Sequence, residues 1–199
     1  MRKNINRLTT LLLAFGLLCC IDKATSTNSA SCGMLINSYS QYQTDSFEII
    51  NVDSILINNK IPFQTTTKNL ISNLGNADSI ITKTFECGGY FDAENVSIYY
   101  YGTSTFETYR DTAVLQKINF REGRYNLKTN KITLSNLITI QKLKQLFPMS
   151  TNKSYDWIDA VDKKTYTIIR IKPNQNYDDE WVLKFYNNKL VEIEYWIPC

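Results

Sequence analysis

The sequence predicts an α+β protein made of two tandem β-α-β-β-β units, with antiparallel sheet and one helix per unit packed on one face. Three observations lead there. An extended stretch followed by a capped amphipathic segment occurs twice, about 72 residues apart. Each occurrence is followed by three segments with the two-residue alternation of half-buried strands. From Phe47 to Cys199 the apolar density stays high over about 150 residues, enough to bury a real core.

The first unit spans residues 46–123. Its extended stretch is 55–61, and residues 65–74 read as a helix with threonine N-caps, Leu70, Ile71 and Leu74 on one face, and Gly75 as the stop. Strands follow at 96–101, 105–109 and 113–120. The second unit spans 124–199. Residues 125–132 are extended, and 139–147 form a helix with Ile140, Leu143, Leu146 and Phe147 on one face, ended by Pro148. Its strands are 165–171, 180–186 and 190–196, the last two joined through Asn187-Asn188-Lys189, a hairpin signal. Trp181, Leu183 and Phe185 alternate as a buried face should, as do Val191, Ile193 and Tyr195, while Glu192 and Glu194 face out. Either unit alone leaves its sheet half covered, so the two are expected to pack together or to share one sheet.

The N-terminus reads as an export signal over residues 1–20. Arg2, Lys3 and Arg7 form a basic segment, and residues 11–21 are an uncharged apolar run too short to span a bilayer as a helix. The run closes on Leu17-Leu18-Cys19-Cys20, which resembles a bacterial lipoprotein signal with Cys20 as the acylated N-terminus. Cys19 stands where such signals carry a smaller residue; the alternative is ordinary cleavage after Ala24-Thr25-Ser26. Residues 21–45, rich in Ser, Thr and Asn, read as a flexible tether. The location implied is the cell envelope, lipid-anchored and facing the periplasm or the surface, with secretion as the alternative.

Charge excludes one class of partner. The chain has 22 basic and 19 acidic side chains, and Arg2, Lys3 and Arg7 account for the whole excess of +3. Without the signal the chain is neutral and has no basic cluster, so nucleic acid is not an expected partner. Beyond the signal only Cys32, Cys87 and Cys199 remain. One disulfide is allowed, and Cys87 with Cys199 is the favoured pair because each borders predicted sheet; unpaired thiols with Cys87 buried are the alternative.

The order of elements, a strand-helix unit followed by an antiparallel meander and duplicated in a small exported chain, resembles the β-lactamase-inhibitor-protein fold and the small outer-membrane assembly lipoproteins of the SmpA/OmlA type. Residues 65–75 and 96–120, then 139–148 and 165–196, carry the likeness, which is one of topology. It implies a protein that binds other proteins and does not catalyse.

The residues themselves point away from common catalytic chemistry. The chain has no histidine, which removes Ser-His-Asp and Cys-His arrangements and the histidine-bearing zinc motifs. Its seven glycines form neither a phosphate-cradling loop nor a dinucleotide fingerprint. Two acidic groups, Asp156/Asp159/Asp162 and Asp178/Asp179/Glu180, have the residue types for calcium binding or a glycosidase but not EF-hand spacing, and read more simply as solvated loop acids. No metal and no cofactor are expected.

Aromatic residues mark the candidate binding face. With Val96, Ile98 and Tyr100 taken as inward, Tyr99 and Tyr101 emerge on the opposite side of their strand, and Tyr186 and Trp196 oppose the buried sets of theirs. Together with Lys184, Glu192 and Glu194 they form an aromatic and charged surface suited to protein recognition, unless helices cover it. The function expected is a non-catalytic, lipid-anchored protein-binding module of the inhibitor or immunity kind, its partner another protein and its membrane link the anchor. The alternatives are a structural accessory lipoprotein of the envelope and a carboxylate-dependent hydrolase.

Overall fold

The computed structural model describes residues 48–199. The signal, Cys20 and the whole of the tether lie outside the described residues. In chain order the elements are β1 (Leu56–Ile57), β2 (Ile61–Pro62), β3 (Gln64–Thr66), α1 (Thr67–Leu74), β4 (Ser79–Lys83), β5 (Val96–Tyr101), β6 (Ser104–Tyr109) and β7 (Thr112–Asn119). Then come β8 (Leu127–Lys128), β9 (Thr133–Leu134), α2 (Ile140–Lys144), α3 (Pro148–Asn152), β10 (Tyr155–Ile158), β11 (Thr165–Ile171), β12 (Glu180–Tyr186) and β13 (Lys189–Trp196).

The fold class differs from the expectation. Of the described residues 43% are strand and 14% helix, and the helices are short, so this is a mostly β fold and not an α+β protein with one helix per unit. Local chemistry explains the difference. The extended stretch at 55–61 holds two strands, because Asn58 and Asn59 both adopt positive φ and turn the chain into a hairpin, a conformation that asparagine tolerates better than most residues. Pro148 does not simply stop a helix: it stands at the first position of α3, where its missing N–H costs nothing, so the second half carries two short helices. Strands β4 and β10 are exposed at every position, so no alternation of burial betrays them in the sequence.

The main sheet has nine strands. Eight run in the order β10-β11-β12-β13-β7-β6-β5-β4, all neighbours antiparallel, and β3 adds to β7. It consists of two meanders, residues 79–119 and 155–196, that meet where β7 pairs with β13 and Ile118 lies opposite Ile193. A second sheet, β2-β1-β8-β9, is built the same way, with β1 and β8 antiparallel at its centre. Hence in both sheets a strand of the first half pairs with its counterpart in the second.

The core lies between these layers. Ile57 and Leu127 from the small sheet, Leu70 and Leu143 from the helices, and Phe106, Ile118, Leu183 and Ile193 from the main sheet are all buried in one cluster. Thr66 and Thr139 cap α1 and α2 by accepting from the backbone N–H of Asn69 and Lys142, at 3.1 and 3.2 Å. Gly75 takes φ 85° as α1 ends, a left-handed conformation that glycine adopts without a steric penalty. Glu48 accepts from the N–H groups of both Met149 and Ser150 at 2.7 Å, setting a carboxylate at the start of α3 and tying the described N-terminal segment to the second half. No described helix is long and apolar enough to cross a membrane.

Two long-range links hold the loop at 84–95. Glu107 on β6 is buried and accepts from the backbone N–H groups of Tyr90 and Phe91 at 3.0 and 2.8 Å. A disulfide joins Cys87 to Cys199, with Cα atoms 5.0 Å apart. The loop is thereby fastened both to the sheet and to the C-terminal residue.

Candidate functional site

Strand pairing decides which side chains share a face. On β12 and β13, Lys184 lies opposite Glu192, Val182 opposite Glu194 and Glu180 opposite Trp196. On β11 and β12, Ile168 lies opposite Lys184 and Arg170 opposite Val182, and β10 adds Trp157 opposite Tyr166. All of these point away from the core, because the alternate set, Trp181, Leu183, Phe185 and Ile193, fills it. The outer face of the second meander thus collects aromatic, cationic and anionic groups.

Of the residues that the sequence marks for this face, Lys184, Tyr186, Glu192, Glu194 and Trp196 are brought together here. Tyr99 and Tyr101 are not. Tyr101 is only 2% exposed, packs edge-on against Phe106 with ring centroids 5.8 Å apart, and donates its hydroxyl to the carbonyl of Gly75. Tyr99 also packs against the main core. Val96 and Ile98, read as inward, are buried at 0% and 2% exposure, but the side read as outward is covered as well. Both faces of β5 are therefore covered: Tyr101 and, in part, Tyr99 pack on the main core, where Tyr99 pairs with the fully buried Phe106.

The outer face is organised by cations over rings. The Arg170 guanidinium stands 5.1 Å from the Trp196 ring centre while donating to Glu180 at 2.6 Å, and Tyr155 accepts from its Nε at 3.3 Å. Lys184 Nζ lies 5.2 Å from the Trp157 ring and 2.8 Å from a Glu192 carboxylate oxygen, the two side chains being 22% and 13% exposed. A bidentate-capable guanidinium held by a carboxylate and stacked on indole is already oriented before any partner arrives. Beneath these groups Ile168, Val182 and Val191 form a small second apolar cluster with Tyr166, covered in part by Tyr186.

Sequence reading missed Trp157, Tyr166 and Arg170. The signal for two of them was present: in Thr165-Tyr-Thr-Ile-Ile-Arg-Ile171, Tyr166, Ile168 and Arg170 alternate with Thr167, Ile169 and Ile171. Trp157 gave no such signal, because it belongs to a short exposed edge strand.

The two acidic groups disperse. Asp156 accepts from Thr167, Asp159 from the N–H groups of Val161 and Asp162, and Asp162 from Tyr166 and Lys164. The Tyr166 hydroxyl and the Lys164 backbone hold the Asp162 carboxyl below its ordinary range. Asp179 turns toward Tyr195, whereas Glu180 pairs with Arg170 and Lys172. Among the described residues no group of His, Cys, Asp or Glu is placed to hold a metal ion.

Glu194 also lies on the outer face, half-buried among charges of both signs. Burial pushes its carboxyl above the ordinary range, and Glu192 adds to this, against the opposing pull of Lys184, Lys117 and Arg170. A carboxyl whose folded pKa exceeds its unfolded one binds its proton more tightly when folded, so stability falls as pH rises through that interval. Glu194→Gln is therefore expected to raise the urea midpoint at neutral pH and to leave it unchanged below the carboxylate range. An equal midpoint at neutral pH would show that the burial has no energetic consequence.

Comparison of the chain with family models, with curated proteins and with solved structures gives no match.

Proposed function

We propose that this protein is a non-catalytic, lipid-anchored module of the cell envelope that binds another protein through the outer face of the second meander. The observation that carries the reading is the set of two oriented cation–ring pairs, Arg170 on Trp196 and Lys184 on Trp157, displayed on one face of four adjacent strands. Tryptophan, tyrosine and arginine dominate the energetics of protein interfaces, since they cover large area at small entropic cost. Trp157 and Trp196 are both close to 40% exposed, which leaves ring surface for a partner. Cys20, at the close of the apolar N-terminal run, is the residue that would carry the anchor.

The test uses the full chain, extracted from envelopes in detergent, beside a Trp157→Ala/Trp196→Ala variant with an unchanged melting temperature. A stoichiometric partner of the parent is expected to be lost from the variant, with affinity at least about 30-fold weaker, the scale of two interface anchors. In the same preparation Cys20→Ala should move from the membrane to the soluble fraction. Equal capture by parent and variant would overturn the assigned face, and unchanged membrane association of Cys20→Ala would overturn the anchor.

A further inference from the structure

A separate cleft, of about 440 Å³, opens beside the covered face of β13. One wall is aromatic: Phe63 lies 4.9 Å from Tyr195 and 5.9 Å from Tyr90, centre to centre, with the rings inclined at 66° and 70°. Tyr90 and Tyr195 are themselves 6.4 Å apart and tilted by 51°. The opposite side comes from Val52 and Asp53 of the short turn before β1 and from the loop before β12, with Pro173, Tyr177 and Asp179. Tyr177 is 61% exposed.

The charges in this cleft are all of one sign. Asp53 and Asp179 are its ionisable carboxyl groups, and no lysine or arginine lines it. The adjoining groove, lined by residues 49–53 and 173–176, also holds no basic side chain. Among the described residues neither carboxylate makes an ion pair, unlike Asp162, Glu180 and Glu192 elsewhere on the protein. Asp179 accepts the Tyr195 hydroxyl at 2.7 Å, which fixes its position, while the nearby Lys172 ammonium is directed to the carbonyls of Tyr177 and Asp178 and to Glu180. The field reaches across the cleft: both carboxylates help to raise the Tyr90 phenol above its ordinary range, after burial.

We infer that this cleft binds a small organic ammonium ion, with its alkylated nitrogen among the aromatic side chains of Tyr90, Tyr195 and Tyr177 and its charge balanced by Asp53 and Asp179. A cleft lined by aromatic side chains and carboxylates, with no basic group in its lining, favours a diffuse, weakly hydrated cation, and quaternary ammonium groups meet both conditions. A carboxylate ligand is opposed by two like charges, and a neutral apolar ligand gains nothing from them. The cavity falls in the size range of small-molecule sites. This inference is independent of the protein-binding face, because Trp196 and Tyr195 point to opposite sides of β13.

The experiment titrates the full chain with choline and with 3,3-dimethyl-1-butanol, which has the same shape without the charge. Choline is expected to bind with its methyl proton resonances moved upfield by the rings, and the neutral analogue to bind at least about tenfold more weakly. Asp53→Asn/Asp179→Asn retains the hydrogen-bond acceptor for Tyr195 and is expected to weaken choline by at least about tenfold; Asp53→Asn alone, at an exposed residue, is expected to weaken it several-fold and guards against misfolding of the double variant. Equal affinity for the two probes, no choline binding at millimolar concentration, or unchanged choline affinity in both variants would overturn the inference.

Discussion

Trp181→Ala is expected to lower the unfolding free energy by about 3–5 kcal/mol, the largest effect of any single substitution proposed for this fold. Trp181 is fully buried on β12 and lies at the meeting point of three parts of the chain. Its ring centre is 4.8 Å from that of Tyr195 on β13 and 5.7 Å from that of Phe63, which follows β2. Its indole N–H donates to the carbonyl of Ile50 at 2.8 Å, across 131 residues of sequence. Truncation removes the apolar volume, leaves a cavity lined by Phe63 and Tyr195, and strands the Ile50 carbonyl. Trp181→Phe should cost less, since it keeps most of the packing and loses mainly the hydrogen bond. Urea denaturation of both variants separates the contributions: a cost near zero for Trp181→Ala would mean that the N-terminal segment is not anchored through this ring.

Removing the disulfide, by Cys87→Ser/Cys199→Ser or by reduction, is expected to cost about 4–5 kcal/mol on the chain-entropy account of a loop this long. The two cysteines are 112 residues apart, so the bond closes most of the described chain into one ring and restricts the unfolded state strongly. Its loss in the native state is expected to be local, because Glu107 still holds the Tyr90 and Phe91 amides against the sheet. Hydrogen exchange should therefore quicken at 84–95 and at the C-terminus before the central strands are affected. A melting temperature that does not change on reduction would show that the ring closure adds no stability.

The long strands were legible because burial on one side of a sheet writes an alternation into the sequence. Residues 96–101, 165–171, 180–186 and 190–196 were read within a residue of β5, β11, β12 and β13, and the caps Thr66 and Thr139 lie where threonine next to an apolar period suggested a helix start. The fold class was misjudged for equally local reasons. The Asn58-Asn59 turn has the same dipeptide as Asn187-Asn188, which sequence reading did take as a hairpin, but its flanking strands are only two residues long and show no alternation. The second helix was overread because the apolar period continues through Leu146 and Phe147, whereas α2 ends at Lys144 and the N–H groups of both residues close a turn on the Leu143 carbonyl.

By itself the sequence determined where the six long strands β5–β7 and β11–β13 and the starts of α1 and α2 lie, that the charge excess belongs to the N-terminal residues, and that the chain lacks the imidazole on which much catalysis depends. Only the tertiary structure decided that both sides of β5 are covered and which strands join β12 and β13 in the outer face. Alternation defines two faces but not which one the core covers, and that depends on where the small sheet, the helices and the 84–95 loop settle. For this reason Tyr101 is a core residue and Tyr99 packs partly buried against the core, while Trp157 and Arg170, on strands distant in sequence from Trp196, complete the outer face. The same holds for the aromatic cleft. Phe63, Tyr90 and Tyr195 are separated by long stretches of chain, and their rings meet only because β3, β7 and β13 are neighbours in one sheet and the loop carrying Tyr90 is fastened to β6 and to Cys199.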